Sequence, residues 1–231
     1  MDWVFPPAES ADENGVVGIG ADLAPETLLQ AYTRGIFPMP LEANGQIVWW
    51  SPDPRAIIPL DDLHIAKSLR KSMRGFTFTF DTAFDQVLER CADPDRPHGW
   101  IDDQIRRAYN DLHELGWAHS VETRNVEGEL VGGVYGIGVS RFFAGESMFH
   151  TETDASKAAL VALVDELRSV GVILFDVQWL TPHLESLGAV DIPRSEYLRR
   201  LSYAVDAGRG GGVRLERLPV NFGREEPIED R

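Results

Sequence analysis

A single cysteine, Cys91, can close no internal disulfide and build no cysteine-rich zinc site, so the fold has to be held by its core, as suits a reducing compartment. Long apolar runs are also missing. No stretch is long enough to span a bilayer, and Met1-Asp2-Trp3-Val4-Phe5-Pro6-Pro7 lacks the basic flank and apolar stretch of a signal peptide. A soluble, cytoplasmic protein with no membrane partner is expected. Basic residues are scarce, 22 Lys and Arg against 37 Asp and Glu, which leaves a net charge of -15. That balance argues against non-specific nucleic-acid binding, which depends on Lys and Arg contacts to phosphate. The histidines, at 64, 98, 113, 119, 150 and 183, show no metal-ligand spacing with cysteine or carboxylate, so neither a metal nor a cofactor is expected. Internal repeats and low-complexity segments are absent.

The apolar fraction is ordinary, and the length suits one full domain or a core domain with a small appendage. Residues 1–60 hold many prolines and glycines and one clear helix, with Pro25 in its first turn, Leu28, Leu29, Ala31 and Tyr32 inside, and Gly35 past its end. This reads as a small, loop-rich N-terminal domain. In Trp49-Trp50-Ser51-Pro52-Asp53-Pro54-Arg55 the prolines argue against regular structure, and the two indoles are expected to be exposed at a domain seam or pocket wall.

From residue 61 the rhythm changes. Residues 76–80 alternate as a strand, and Asp81-Thr82 is placed to cap a helix running to Cys91, a core thiol. A helix over 102–115 precedes strand-like stretches at 118–123, 129–137 and 139–149, with Glu127-Gly128 as a hairpin turn. An amphipathic helix over 155–170 carries Leu160, Leu163, Val164 and Leu167 on one side and leads into the apolar strand 172–178, a strand-helix-strand crossover. The fold class is α+β: residues 61–231 form a mixed sheet with flanking helices and end in an irregular acidic tail containing Glu216, Glu225, Glu226, Glu229 and Asp230.

The ends of the two candidate parallel strands carry Glu146 and Asp176, where ligands often bind. The two-residue period of a strand sends Asp176 and Gln178 to one face. A carboxylate in so apolar a run must be hydrogen-bonded, raised in pKa or turned to a cavity, and a structural tie and a functional group fit equally well. Glu146 stands between aromatic residues just after Gly145; it suits either an apolar pocket with one acidic group or a glutamate emerging at a sheet edge. Lys67, Arg70, Lys71 and Arg74 share a helix face, which spacing alone favours as a solvated surface over a phosphate-binding stripe. Gly133 to Gly138 lies within strand alternation, where glycine serves packing or bulges. Ser147 lacks the second glycine of a nucleophile elbow.

Several segments in order carry a resemblance: residues 31–38, 49–55, Trp100-Ile101, 112–116, 118–122, 130–136, 145–149, Ala155-Ser156-Lys157 and 186–189. Together they resemble the leucyl/phenylalanyl-tRNA-protein transferase family along nearly the whole chain. The resemblance implies a small N-terminal domain followed by a GNAT-like, N-acetyltransferase-type domain. It also implies transfer of leucine or phenylalanine from aminoacyl-tRNA onto proteins that begin with Arg or Lys, marking them for degradation. By the same similarity, Asp176, Gln178 and Glu146 surround the reacting centre, and Phe143, Met39, Trp49, Trp50, Ser147, Met148 and Leu167 line the substrate site. The family pattern has tryptophan where this chain has Met39, which leaves donor preference open; methionine is a further candidate donor. Lys67, Arg70, Lys71 and Arg74 become tRNA-backbone contacts, and a monomer is expected. Two rivals are an acyl-CoA-dependent N-acetyltransferase and a non-catalytic adaptor for basic N-termini. In the expected reaction an ester is cleaved by an amine, with Asp176 orienting the amine directly or through Gln178 and Glu146 meeting the acceptor's cationic side chain.

Overall fold

The computed structural model describes residues 3–41, 45–93 and 100–206. After a short 3-10 turn at Ala8–Ser10, strands β1 (Val16–Ile19), β2 (Phe37–Pro40) and β3 (Ile47–Trp50) form an antiparallel sheet in the order β1-β3-β2. Helix α1 (Pro25–Tyr32) joins β1 to β2, with Pro25 at a first-turn position whose N–H would have no helical partner.

The second sheet has seven strands in the order β10-β4-β9-β8-β7-β6-β5. They are β4 (Arg55–Ile58), β5 (Thr77–Phe80), β6 (Ala118–Arg124), β7 (Leu130–Val139), β8 (Phe142–His150), β9 (Leu174–Gln178) and β10 (Val190–Ile192). Between them run α2 (Lys67–Met73), α3 (Phe84–Cys91), α4 (Asp103–Glu114), α5 (Ala155–Ser169) and α6 (Pro182–Glu185), and α7 (Arg194–Asp206) follows β10. Every pairing is antiparallel except β8 with β9, which α5 connects as a crossover. The mixed α+β class expected from the sequence is therefore observed.

Apolar side chains divide between the two faces of this sheet. On one face, α1, α3, α4 and α7 share a core with the three-stranded sheet; Tyr32, Trp49, Ile137, Phe142 and Leu201 all belong to it. On the other, α5 supplies Leu160, Leu163, Val164 and Leu167 against Val134, Phe143 and Phe175. Small residues at Ala155, Ala158, Ala159 and Ala162 fit α5 closely to the strands. Replacing one of these buried leucines by alanine costs about 2–5 kcal/mol.

Two expectations are corrected. Trp49 and Trp50 lie in a strand and are buried, at 2% and 8% exposure, because β3 is the central strand of its sheet and the larger core covers it. The indole N–H of Trp49 donates to the Gly20 carbonyl at 2.6 Å and that of Trp50 to the Met39 carbonyl at 2.9 Å. Asp81 and Thr82 do not cap α3, whose flanking residue is Ala83 with no side-chain cap. Asp81 instead accepts from the Ser120 N–H and Thr82 donates to the buried Glu122, whose desolvated carboxyl requires donors from β5 and β6.

The register of β7 and β8 shifts between the pairs Tyr135–Ser147 and Gly136–Gly145, so Glu146 is the extra residue of a β-bulge. The bulge inverts the strand's alternation. Phe143 and Met148 consequently share the α5 face, while Ala144 and Phe149 share the other. Gly136 sits opposite, where a Cβ would run into the Ala144 carbonyl and the Phe143 ring. Among the described residues no helix is long and apolar enough to cross a membrane. The acidic tail lies outside the described residues.

Candidate active site

Strands β8 and β9 pair only through Phe142–Leu174, Phe143–Phe175 and Ala144–Asp176. Beyond these pairs the two strands part, and the gap opens a cavity of about 340 Å3. Its walls are Gly145, Glu146, Ser147 and Met148 from β8, Phe175, Val177 and Gln178 from β9, Val134 from β7, and Leu160 from α5. His150, Ser156, Thr181, His183 and Leu184 complete it. Val134, Met148, Leu160, Phe175 and Val177 make one side apolar. A hydrophobic side chain therefore gains by entering, at about 25 cal/mol for each Å2 removed from water.

Glu146 faces this space because the bulge removes it from the ladder. The Tyr109 hydroxyl donates to its Oε2 at 3.0 Å, and Tyr32 and Tyr109 are hydrogen-bonded to each other through their hydroxyls. Its Oε1 has no partner among the described residues. Part of the residue is open to the cavity, but Oε1 is withdrawn from bulk water. Burial raises the carboxyl to about 7, with the Asp176 charge adding to the rise and the two tyrosine hydroxyls and Arg55 opposing it. Burial likewise pushes both tyrosines well above their ordinary range, so they remain protonated donors. A carboxyl poised near neutral pH with one oxygen unengaged is equipped to take up a proton.

Asp176 and Gln178 do not share a face. Asp176 projects from β9 toward the α7 side and is fully buried. Arg55 holds it at both oxygens, Nε to Oδ1 at 2.8 Å and Nη2 to Oδ2 at 2.6 Å, and the Tyr197 hydroxyl donates to Oδ2 at 2.9 Å. The guanidinium lies over the rings of Phe37 and Tyr197, 4.7 and 4.5 Å from their centroids, and donates to the Gly35 carbonyl. Burial is the largest influence and works against the charge on Arg55, but Asp176, Tyr197 and Glu146 together outweigh it and hold the pKa above the ordinary value. At Gln178 the backbone enters the left-handed region, φ 59, with its N–H donating to Asp176 Oδ1 at 3.0 Å. Strand alternation ends there, and the side chain lines the cavity instead of following Asp176. Its Nε2 is buried without a partner among the described residues.

The other expected residues fall into three groups. Ser147 and Met148 line the cavity. Phe143 and Leu167 are buried behind the lining, Phe143 edge-on to Phe175 with centroids 5.7 Å apart. Met39, Trp49 and Trp50 belong to the three-stranded sheet and are not among the lining residues. Lys67, Arg70, Lys71 and Arg74 are exposed on or just after α2. Sequence reasoning missed Tyr32, Tyr109, Tyr197, His183 and the role of Arg55. Arg55 was detectable: a charge opening the apolar run Arg-Ala-Ile-Ile demands a partner, as does Asp176 in its own run. The tyrosines sit on apolar helix stripes, where nothing in the pattern separates a phenol from a core ring.

The pattern of the family described as leucyl/phenylalanyl-tRNA protein transferase matches residues 57–202, and that of the leucyl/phenylalanyl-tRNA protein transferase N-terminal domain matches residues 21–53. The leucyl/phenylalanyl-tRNA–protein transferase of Aromatoleum aromaticum is 48% identical over 214 residues, 90% of this chain and 90% of its own. The protein of the same name from Pseudomonas entomophila is 48% identical over 213 residues, 89% of this chain and 93% of its own. Among solved structures, FemX aligns over 77% of this chain and 70% of its own with a TM-score of 0.42 and 11% identity.

Proposed function

Because the chain belongs to the leucyl/phenylalanyl-tRNA protein transferase family, we propose that the cavity in the split between β8 and β9 moves leucine or phenylalanine from the 3′ end of tRNA onto the N-terminal amine of a protein. Acceptors that begin with Arg or Lys are marked in this way for degradation by the N-degron route. The observation that carries the reading is the cavity itself: apolar on the β7, α5 and β9 side, with Glu146 and the Gln178 amide beside the gap. The donor's side chain occupies the apolar wall, and the ester carbonyl lies at the split within reach of the Gln178 amide.

The acceptor's α-amine has an ordinary pKa of about 8, so much of it arrives protonated. Glu146 accepts its proton at the free Oε1 and releases a neutral amine beside the carbonyl. The new C–N bond forms, the C–O bond to the ribose breaks, and the ribose hydroxyl leaves with a proton from the attacking nitrogen. Aminolysis of an ester needs no stronger nucleophile than the amine, so orientation supplies most of the acceleration. Asp176 acts at one remove: its oxygens are committed to Arg55 and Tyr197, and it fixes the backbone of Gln178. Met39, Trp49 and Trp50 support the donor site from the small sheet without touching the reacting atoms, and Phe143 and Leu167 hold the cavity wall in shape.

The same reading makes residues 1–60 a small N-terminal domain and the remainder a GNAT-like transferase domain, with β4, near the end of the first segment, paired into the sheet of the second. The enzyme works as a cytoplasmic monomer. An adaptor for basic N-termini would have no use for an apolar pocket next to its acidic group. Mass spectrometry of an Arg-initiated peptide, incubated with the protein and leucyl- or phenylalanyl-tRNA, tests the proposal. A gain of one leucine or phenylalanine residue is expected, and an unchanged peptide mass with both donors would remove it.

A further inference from the structure

Glu146 and Gln178 account for one part of the cavity; its remaining polar lining is of a different kind. His150 and Ser156 lie with Nδ1 and Oγ 3.3 Å apart, and His183 stands with them on the wall. His183 Nε2 is withdrawn from solvent and has no partner among the described residues. Burial, together with Lys157 and His150, lowers the pKa of His183, so the ring is a neutral imidazole able to donate one hydrogen bond. Ser156, 2% exposed, opens the first turn of the 15-residue α5, where backbone N–H groups have no helical acceptor. Gln178, 7% exposed, lines the same cavity, its Nε2 buried without a partner among the described residues. The nearby carboxyls of Asp154 and Glu152 are engaged by the Ser72 hydroxyl and the Asn125 amide, and Glu146 belongs to the reacting end of the cavity.

Donors thus gather at one end of this open cavity, with Lys157 just outside the lining, near enough to act on His183 and 3.4 Å from the Ser186 hydroxyl, in a chain whose net charge is -15. The Ser72–Asp154 hydrogen bond, 2.8 Å, ties the last turn of α2 to the start of α5. The exposed stripe of Lys67, Arg70, Lys71 and Arg74 therefore leads toward this end of the cavity. A basic track that ends in neutral donors beside an apolar pocket matches a ligand with several phosphates, then one phosphate, then a hydrophobic group. We propose that His183, Ser156 and Lys157 form a phosphate subsite for the phosphodiester that precedes the terminal adenosine of the donor. This rests on the tRNA-dependent transfer proposed above.

The test compares two donors: the leucyl ester of a CCA trinucleotide, which carries that phosphodiester, and 3′-O-leucyl-adenosine, which does not. In the double variant Lys157→Ala, His183→Ala the ratio of kcat/KM between them falls about tenfold, the worth of one charge-assisted hydrogen bond, through a higher KM for the trinucleotide. Lys157→Arg alone retains the ratio. A ratio within about twofold of the parent in a variant that still melts cooperatively overturns the subsite and leaves the transferase reading standing. A parent that transfers from neither donor overturns both. Should coenzyme A suppress transfer from leucyl-adenosine in the parent but not in Lys157→Ala, the phosphate would come from a nucleotide coenzyme, and the assignment to RNA would fall.

Discussion

Protonation of Glu146 links activity and stability in opposite senses. Its folded pKa of about 7 stands above the ordinary 4.5. Between these values the folded chain holds a proton that the unfolded chain has lost, so the stability attributable to this residue is present at low pH and falls as pH rises from about 4.5 to about 7. Glu146→Gln removes that penalty. Melting at pH 8 is expected to shift upward, with a ceiling of about 3 kcal/mol, while the difference from the parent vanishes below pH 4.5. Transfer falls about a hundredfold, the usual worth of a positioned base, and the inflection near pH 7 disappears from the rate profile, leaving only that of the amine. A variant that kept the inflection would acquit Glu146 as the proton acceptor. Asp176 and Arg55 pose the reverse case. Removing one member of a buried pair strands the other, so Asp176→Asn and Arg55→Met each cost about 3–5 kcal/mol in urea unfolding, whereas Arg55→Met with Asp176→Leu recovers most of the loss. Full stability with no transfer in Asp176→Asn would instead give Asp176 a direct part. Both carboxyls were legible as candidates, because an acid within an apolar strand is costly. Their division of labour was not, since it depends on Tyr109 and Arg55, far away in the chain.

At the scale of elements, periodicity located α4, α5, β6 and the parallel crossover to within a few residues, since each is long and carries a regular apolar face. The bulge at Glu146 escaped it. A two-residue period carried through 143–149 puts Phe143 and Phe149 on one face, and the observed inversion depends on how β7 pairs with β8. Asp81 and Thr82 failed as caps for a comparable reason, drawn off by the buried Glu122 of a neighbouring strand. The basic stripe was correctly placed on a helix surface, and its exposure allows a direct test. Lys71→Glu with Arg74→Glu is expected to weaken tRNA binding and to flatten the plot of log affinity against log salt by about 0.7–0.9 for each phosphate that the variant no longer neutralises. An unaltered slope would return α2 to an ordinary solvated face.

For the whole molecule, one core runs from the three-stranded sheet into the seven-stranded one, joining Phe37, Trp49 and Trp50 to Ile137, Phe142 and Leu201. Arg55 adds a polar tie, reaching from β4 to Gly35, Tyr197 and Asp176. The two sheets are therefore expected to unfold together. Tryptophan fluorescence and far-UV circular dichroism should give coincident urea transitions. A separate early fluorescence transition would mean that the small sheet melts alone.

The amino-acid order by itself determined the α+β class, the apolar faces of the longer helices, the succession of strands from β5 to β9 and the family to which it belongs, because these depend on short-range periodicity and on runs of neighbouring residues; the short strands β1 to β4 and β10 carry too little of either. Only the tertiary structure decided that Asp176 is locked to Arg55, that Gln178 turns away from it, and that β8 and β9 part to leave a cavity. Each of these comes from the meeting of segments distant in sequence: a buried charge takes whichever opposite charge the fold brings to it, and a strand bends where its partner's register slips.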